Sequence, residues 1–347
     1  MKIAIHHSNK SKGYSHQWVD YCKKNQIDFK IVNAYDNDIV QQIADCDAFL
    51  WHFSHKNPKD MNFAKQLLFS LQQSGKKVFP DFFTGWHFDD KLGQKYLFEA
   101  NDIKAARAYA FYNKKDAILW AKTTSYPKVF KLRGGAGSYN VLMAQNYNEA
   151  ARLIRRSFGR GFKSFDKIRH FWDVSKEFFR GDTTFKAFLS ALSLVFRRVS
   201  FDKLPIQREY SYFQDFIPNE GYDYRIEVCG NKCISMVRYA RKGDFRASGG
   251  HNDHFDKDLI PVDVIAFAFD IVDKLQLQSA ALDIVRHKDT RELFLVEVSY
   301  CYGVDKDEFD HGYWDRNANW HNEQFNGCDW MIEQVISDVT NKSKESV

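Results

Sequence analysis

The first 80 residues alternate between two hydrophobic periods. The short apolar runs KIAIHH, IDFKIVNA, DAFLWHF and KKVFP read as strands. Stretches near 15–25 and 38–45 read as helices, as does the amphipathic run DMNFAKQLLFSLQQSG ending at Gly75. Such alternation predicts a small parallel sheet with helices on its faces and ligands beyond the carboxyl ends of the strands. The turn His6-His7-Ser8-Asn9-Lys10 lacks G-x-G-x-x-G, which argues against a dinucleotide fingerprint there. Further on, helices are expected over about 86–103, 113–123 and 148–157, with KVFKLRGGAGSYNVLMA between the last two. An aromatic, basic, mostly helical region covers about 158–204. The pattern then turns to strands in REYSYFQDFIP, YDYRIEVCG and NKCISMVRYAR. A helix over 261–275, the hairpin SAALDIVRH–KDTR–ELFLVEVSY and a helix near 328–339 close the chain.

Composition narrows the class. The chain has 347 residues, 44% hydrophobic, 27% charged, with 31 Phe, which excludes disordered and collagen-like classes. No apolar run approaches the roughly 18–20 residues of a spanning helix, and MKIAIHHSNK is expected to be a first strand rather than a signal peptide. Six cysteines form no C-x-x-C pair, so reduced core thiols, Cys229 and Cys233 among them, and a cytoplasmic location are expected. A net charge of +5 suits anionic small molecules and gives no case for a nucleic-acid partner. The basic charge is concentrated: Arg152 to Arg208 holds 14 Lys/Arg against 5 Asp/Glu.

Three groups could carry chemistry. Lys131 precedes Gly134-Gly135-Ala136-Gly137-Ser138, and such a loop can close backbone N–H groups over phosphates while the lysine neutralises their charge. It is not a Walker A loop, and a plain flexible turn is the competing reading. Asp283, Glu297 and Ser299 fall on paired strands, with Glu297 and Ser299 on one face. Two carboxylates among apolar neighbours need a cation; Mg²⁺ held together with substrate phosphates is one answer, a Lys or Arg partner the other. Asp223-Tyr224-Arg225 and ARKGDFRASGG, with Arg241, Lys242, Arg246 and Ser248, form the third group, as phosphate contacts or as a solvated hairpin tip.

In this order the motifs Asp90-Lys91, KVFKLRGGAGS, YFQDFIPNEGYDYRIEV, RYARKGDFRASGG, LDIV and VEVS resemble the ATP-grasp superfamily, in its RimK and glutathione-synthetase-like branch. The resemblance runs from about 86 to 303 and implies an α/β plus α+β architecture. It implies a Rossmann-like pre-ATP-grasp domain at 1–85, an ATP-grasp subdomain at 86–213 carrying the insert, and a second at 214–347. ATP would lie between these two subdomains. Lys91 and Lys131 would contact its phosphates under the loop Gly134, Gly135, Ala136, Gly137, Ser138; Gln214-Asp215-Phe216-Ile217 would pair with adenine; Asp223 would lie by the ribose. Arg225 and Arg246 would face the phosphoryl group being transferred, and Asp283, Glu297 and Ser299 would hold Mg²⁺. Ser299 departs from the family's E-x-N pattern and offers a weaker dipole to the metal.

The implied reaction is ATP-dependent joining of a carboxylate to an amine through an acyl phosphate. An ATP-grasp kinase acting on a hydroxyl and a nucleotide-binding module are the alternatives. The chain also resembles ATP-grasp proteins of bacterial surface-polysaccharide clusters, which implies a uronic-acid-type sugar or an amino acid as one partner. His6 to Lys10, residues 249–255 and Tyr300 to Asp305 are expected at the rim of the acceptor pocket. In the insert, Phe185, Phe188, Leu189, Leu192, Val195, Phe196 and Val199 recur at helical spacing with Arg197 and Arg198 beside them. Such a stripe reads as core packed on the nucleotide subdomain, or as a basic amphipathic helix on a membrane.

Overall fold

Each lobe grows from a sheet whose apolar face a helix covers. The computed structural model describes residues 1–8, 13–55, 57–135, 141–164, 166–180, 183–197, 204–241, 244–247, 252–303 and 311–345. The N-terminal lobe runs β1 (Lys2–His6), α1 (Tyr14–Lys24), β2 (Asp28–Val32), α2 (Ile39–Gln42), β3 (Ala48–Leu50), α3 (Pro58–Gln73), β4 (Lys77–Phe79) and α4 (Phe82–Gly85). Its four strands are parallel, in the order β2-β1-β3-β4. The cues for α3 are local: Asn57 caps the Lys59 N–H, Pro58 opens the first turn, and Gly75 follows the end at φ +90°.

The middle part contains α5 (Lys91–Ala100), β5 (Ala108–Phe111), α6 (Lys114–Thr123), β6 (Lys128–Lys131), β7 (Leu142–Ala144), α7 (Tyr147–Ser157), α8 (Lys167–Arg180), α9 (Phe185–Phe196) and β8 (Ser211–Asp215). Its sheet is antiparallel in the order β5-β8-β6-β7, and Ala117, Ala121, Ala150 and Ile154 of α6 and α7 pack on Phe130 and Phe213. The boundary read from the sequence at 213/214 falls inside β8.

The last part contains β9 (Tyr222–Cys229), β10 (Lys232–Tyr239), β11 (Asp253–His254), α10 (Val262–Leu275), β12 (Ser279–Arg286), β13 (Leu293–Ser299), β14 (Tyr313–Asp315), β15 (Trp320–His321) and α11 (Gly327–Glu345). Its sheet runs β13-β12-β9-β10-β14-β15, with β11 beside β10. Val264, Ile265, Ala268 and Val272 of α10 cover Ile226, Val228, Leu282, Ile284 and Leu295 on one face. The chain end returns to the first lobe: Tyr300, Tyr302, Met331, Ile332 and Val335 join the core of Ile3, Phe49 and Phe79. Cys229 and Cys233 are buried in the cores, as expected. Among the described residues no helix is long and apolar enough to cross a membrane.

Two expectations fail. Tyr300 and Tyr302 are not pocket rim; they lie in the first core, where the Tyr300 hydroxyl donates to the Phe53 carbonyl and the Tyr302 hydroxyl meets Ser279 Oγ at 2.7 Å. His6 is likewise buried, its Nδ1 accepting from the Ala34 N–H. Nor is the apolar stripe of α9 core packed on the nucleotide subdomain. Phe185, Leu189, Leu192 and Phe196 are largely exposed, because α9 packs on α8 mainly through its Phe188 side, with Phe185 touching Phe178. The insert leaves and rejoins the body at one point, where Phe162 and Gln207 exchange backbone hydrogen bonds of 2.9 Å. Val199 and Arg198 lie outside the described residues.

Candidate active site

Strand alternation assembles the site. On β9, Tyr224, Ile226 and Val228 point to α10, so Asp223, Arg225 and Glu227 share the opposite face. On β12 the same rule sends Leu282 and Ile284 to the core and Asp283 outward, in register with Arg225 on one side and Glu297 on the other. The β13 register shifts at this point: Asp283 faces Glu297 while Ile284 faces Leu295, which leaves Val296 as the extra residue of a β-bulge. Val296, Glu297 and Ser299 line the cleft, and Val298, packed in the core behind them, touches it as well.

The charges on this face are paired. Arg225 donates to Glu227 Oε1 at 2.9 Å and Asp283 Oδ1 at 2.8 Å. Arg238 on β10 holds both oxygens of Asp223 at 2.8 Å and reaches Asp283 Oδ1 at 2.9 Å. Glu297 Oε1 lies 3.1 Å from the ammonium of Lys91. Burial raises the Asp283 carboxyl, and the two arginines outweigh it, holding it below its ordinary value. The need for a cation is thus met by Lys and Arg, and the burial of these carboxylates is not by itself an argument for a metal. Asp283 Oδ2 and Glu297 Oε2, however, accept no hydrogen bond among the described residues. That spare oxygen pair, with Ser299 on the same strand, fits a hard divalent ion shared with phosphates. Ser299 Oγ itself donates to the Cys301 carbonyl at 3.4 Å.

Lys91 opens α5 under the Asp90 cap, which accepts the Gly93 N–H at 2.9 Å. Its ammonium also donates to the Gly135 carbonyl at 3.0 Å. Burial lowers its pKa, and the charges of Glu297 and Asp89 outweigh this to leave it raised. Lys131 ends β6 and is 6% exposed. It makes no ion pair or hydrogen bond through its ammonium among the described residues, and burial pulls it down to about 8. An unpaired buried ammonium in a cleft is a place for an anion. Of the glycine loop, Gly134 and Gly135 are described; Ala136, Gly137 and Ser138 lie outside the described residues, as do Lys242, Ser248 and the rim positions 9–10, 249–251 and 304–305.

The cleft has a cavity volume of about 280 Å³, and Lys91, Lys131, Gly135, Gln214, Asp215, Phe216, Ile217, Asp223, Arg225, Arg246, Asp283, Glu297 and Ser299 all line it. Gly134 does not line it; its backbone faces Gln207, with Nε2 donating to the Gly134 carbonyl at 3.2 Å. Gln214 straps two sheets together, donating to the Ala106 and Val296 carbonyls at 3.3 Å. Asp215 pairs with Lys128, and Arg246 forks onto Asp244 at 2.7–3.0 Å. Asp223, expected beside a ribose, has both oxygens on Arg238.

Sequence reasoning overlooked Arg238, Asp89, Gln207 and Tyr210. Arg238 could have been noticed as a charge within the otherwise uncharged run CISMVRY of β10, which Lys232 opens. Asp89, at φ +54°, takes the Gly135 N–H at 2.7 Å, and Tyr210 takes the Arg133 N–H at 2.7 Å. Neither carries a spacing signal.

No known family profile matches the sequence, and no curated protein matches it. Solved structures match its fold. A RimK domain ATP-grasp protein from Sphaerobacter thermophilus is 13% identical with TM-score 0.53, over 87% of this chain and 91% of that one. A RiPP-associated ATP-grasp ligase from Chryseobacterium gregarium, in complex with ADP and a leader and core peptide, is 11% identical with TM-score 0.55, over 97% and 96%. The D-alanine–D-alanine ligase of Bacillus anthracis, complexed with ATP, is 12% identical with TM-score 0.50, over 100% of both chains. The chain has the fold of the ATP-grasp ligases.

Proposed function

We propose that this protein is an ATP- and Mg²⁺-dependent ligase that joins a carboxylate to an amine through an acyl phosphate. The observation that carries the reading is Lys131: a buried ammonium with no partner among the described residues, in a cleft with two carboxylates that each keep an oxygen without a hydrogen bond there. The hinge Gln214 to Ile217 would take adenine by its backbone, with Asp223 on the ribose side. Lys91 and Lys131 would neutralise the phosphates beneath the glycine loop, as positioning and charge compensation dominate phosphoryl transfer. Asp283, Glu297 and Ser299 would hold Mg²⁺, whose contribution is to neutralise phosphate oxygens. Arg225 and Arg246 line the same cleft and would meet charge on the phosphoryl group as it moves to the carboxylate oxygen. A carboxylate displaces ADP to form the acyl phosphate; the amine then displaces phosphate, loses a proton and leaves an amide.

The acid is proposed to be a uronic-acid-type sugar, with an amino acid or other amine as acceptor, in surface-polysaccharide synthesis. The support for that finer reading is the sequence resemblance to proteins of such clusters. The test is ADP release with ATP, Mg²⁺ and a matrix of uronic acids, amino acids and peptides, singly and in pairs. ADP that requires an acid–amine pair and Mg²⁺ supports the ligase. ADP with one hydroxyl compound and no amine overturns it in favour of a kinase.

A further inference from the structure

The feature that the cleft does not use is the α8–α9 hairpin. Its two helices are antiparallel: Lys167 near the start of α8 donates its ammonium to the Arg197 carbonyl beyond the end of α9 at 2.6 Å. They pack through Phe171 and Phe178 on one side and Phe188 on the other, with ring centroids 5.1–5.6 Å apart. Phe178 also meets the Phe185 ring, with centroids 5.9 Å apart, yet a row of large side chains on each helix stays exposed. Ile168, Trp172 and Phe179 on α8 are 61%, 59% and 81% exposed; Phe185, Leu189 and Phe196 on α9 are 59%, 46% and 80% exposed.

These exposed residues are not scattered. With 3.6 residues per turn, the α8 set lies within about 40° of arc and the α9 set, including Leu192, within about 60°. Each row is turned from its packed residues by about 70–90° in the same sense. In antiparallel helices an equal rotation brings both rows to the same side of the pair. The hairpin therefore presents one continuous apolar face, bordered by Lys176 and Lys186, with Arg197 exposed at its end.

We infer that this face docks on an anionic lipid bilayer, lying in the plane of the headgroups. The border of cations selects the partner. A second copy seated face to face would set Lys176 and Lys186 against the same cation-edged surface, whereas anionic headgroups complement it. The region carries 14 Lys/Arg against 5 Asp/Glu, and an apolar face of Trp, Phe and Leu edged by cations is the chemistry of interfacial binding. The 12 residues of α9 are too few to span a bilayer, so the hairpin lies on it. The stem at Phe162 and Gln207 fixes the hairpin to the body, and Gln207 in turn holds Gly134, so the docked enzyme would carry its cleft at a set orientation to the membrane.

The test is co-sedimentation of the full chain with phosphatidylcholine vesicles, with and without phosphatidylglycerol, at low and high salt. Binding is expected to the anionic vesicles and to weaken with salt. The double variant Phe179→Ser/Phe196→Ser is expected to lose partitioning by about ten-fold or more. Each of Lys176→Glu and Lys186→Glu should lower it by about five-fold or more at low salt. Nucleotide binding by each variant serves as the check of folding, since none of these residues lies in the cleft. Failure to bind any vesicle overturns the inference, as does equal binding to neutral ones. A wild-type dimer in sedimentation velocity that Phe179→Ser/Phe196→Ser dissociates, without vesicle binding, would instead assign the face to a second copy.

Discussion

The cleft and the hairpin break the ordinary rule of apolar inside and charged outside in opposite directions. The cleft buries Lys91, Lys131, Glu227 and Arg238; the hairpin leaves Trp172, Phe179, Phe185 and Phe196 in solvent. In the cleft the departure is offset pair by pair, Arg238 on Asp223 and Asp283, Arg225 on Glu227, Lys91 on Glu297, while Lys131 has no such partner among the described residues. In the hairpin nothing among the described residues covers the exposed rings. The difference lies in what would complete each region: a buried cation without a partner among the described residues asks for an anion, and an exposed apolar face asks for another apolar phase.

The largest effect expected is on turnover. Lys131→Met and Glu297→Gln should each reduce ADP release by about 10²–10³-fold or more, while circular dichroism stays that of the folded chain. Normal rates in both would remove the cleft from the chemistry. Next is stability. Arg238→Met leaves Asp223 without its guanidinium and Asp283 with Arg225 alone, which should destabilise the fold by about 3–5 kcal/mol in urea unfolding. Phe196→Ser on the hairpin should stay within about 0.5 kcal/mol, since an exposed ring loses little. A larger loss there would mean that the ring is packed, and the contrast would fail.

Lys131 supplies a sharper, smaller test. Its folded pKa of about 8 lies below the ordinary 10.5, so the unfolded chain binds more protons between these values and this group's contribution to stability rises with pH across that window. Phosphate beside the ammonium reverses the shift. ATP binding just above pH 8 should therefore take up a proton, seen as a buffer-dependent calorimetric enthalpy, and Lys131→Met should abolish the uptake. The smallest effect concerns Ser299. Replacing it with Asn, whose amide carbonyl is the stronger dipole, should tighten Mg²⁺ binding a few-fold if the residue is a ligand; an unchanged titration would take it out of the metal shell.

Much of the fold was legible because its signals are local. The parallel sheet of the first lobe, the amphipathic run that became α3 and the antiparallel pair carrying Asp283 and Glu297 follow from hydrophobic period, cap and turn chemistry. Lys131 before its glycines and the pair Asp90-Lys91 were visible as ordered motifs. Partnership was not. That Arg238 would meet Asp283 depends on β9 lying between β10 and β12, a register that links residues 45 positions apart and has no trace in spacing. Tyr300 and Tyr302 read as loop beside the metal strand, yet the chain end folds back and buries them in the N-terminal core.

The amino-acid order settled which residues alternate, which helices are amphipathic, and that charge and glycine gather at particular points, because each of these is decided within a few residues by backbone geometry. Tertiary structure alone decided what faces what. An apolar stripe states that one side of a helix shuns water and says nothing about the body that covers it, and a carboxylate in a strand states a charge without naming its counter-ion. Phe130 and Phe196 are the same residue type in equally regular elements; one is sealed under α7, the other stands in water, and only long-range packing separates them.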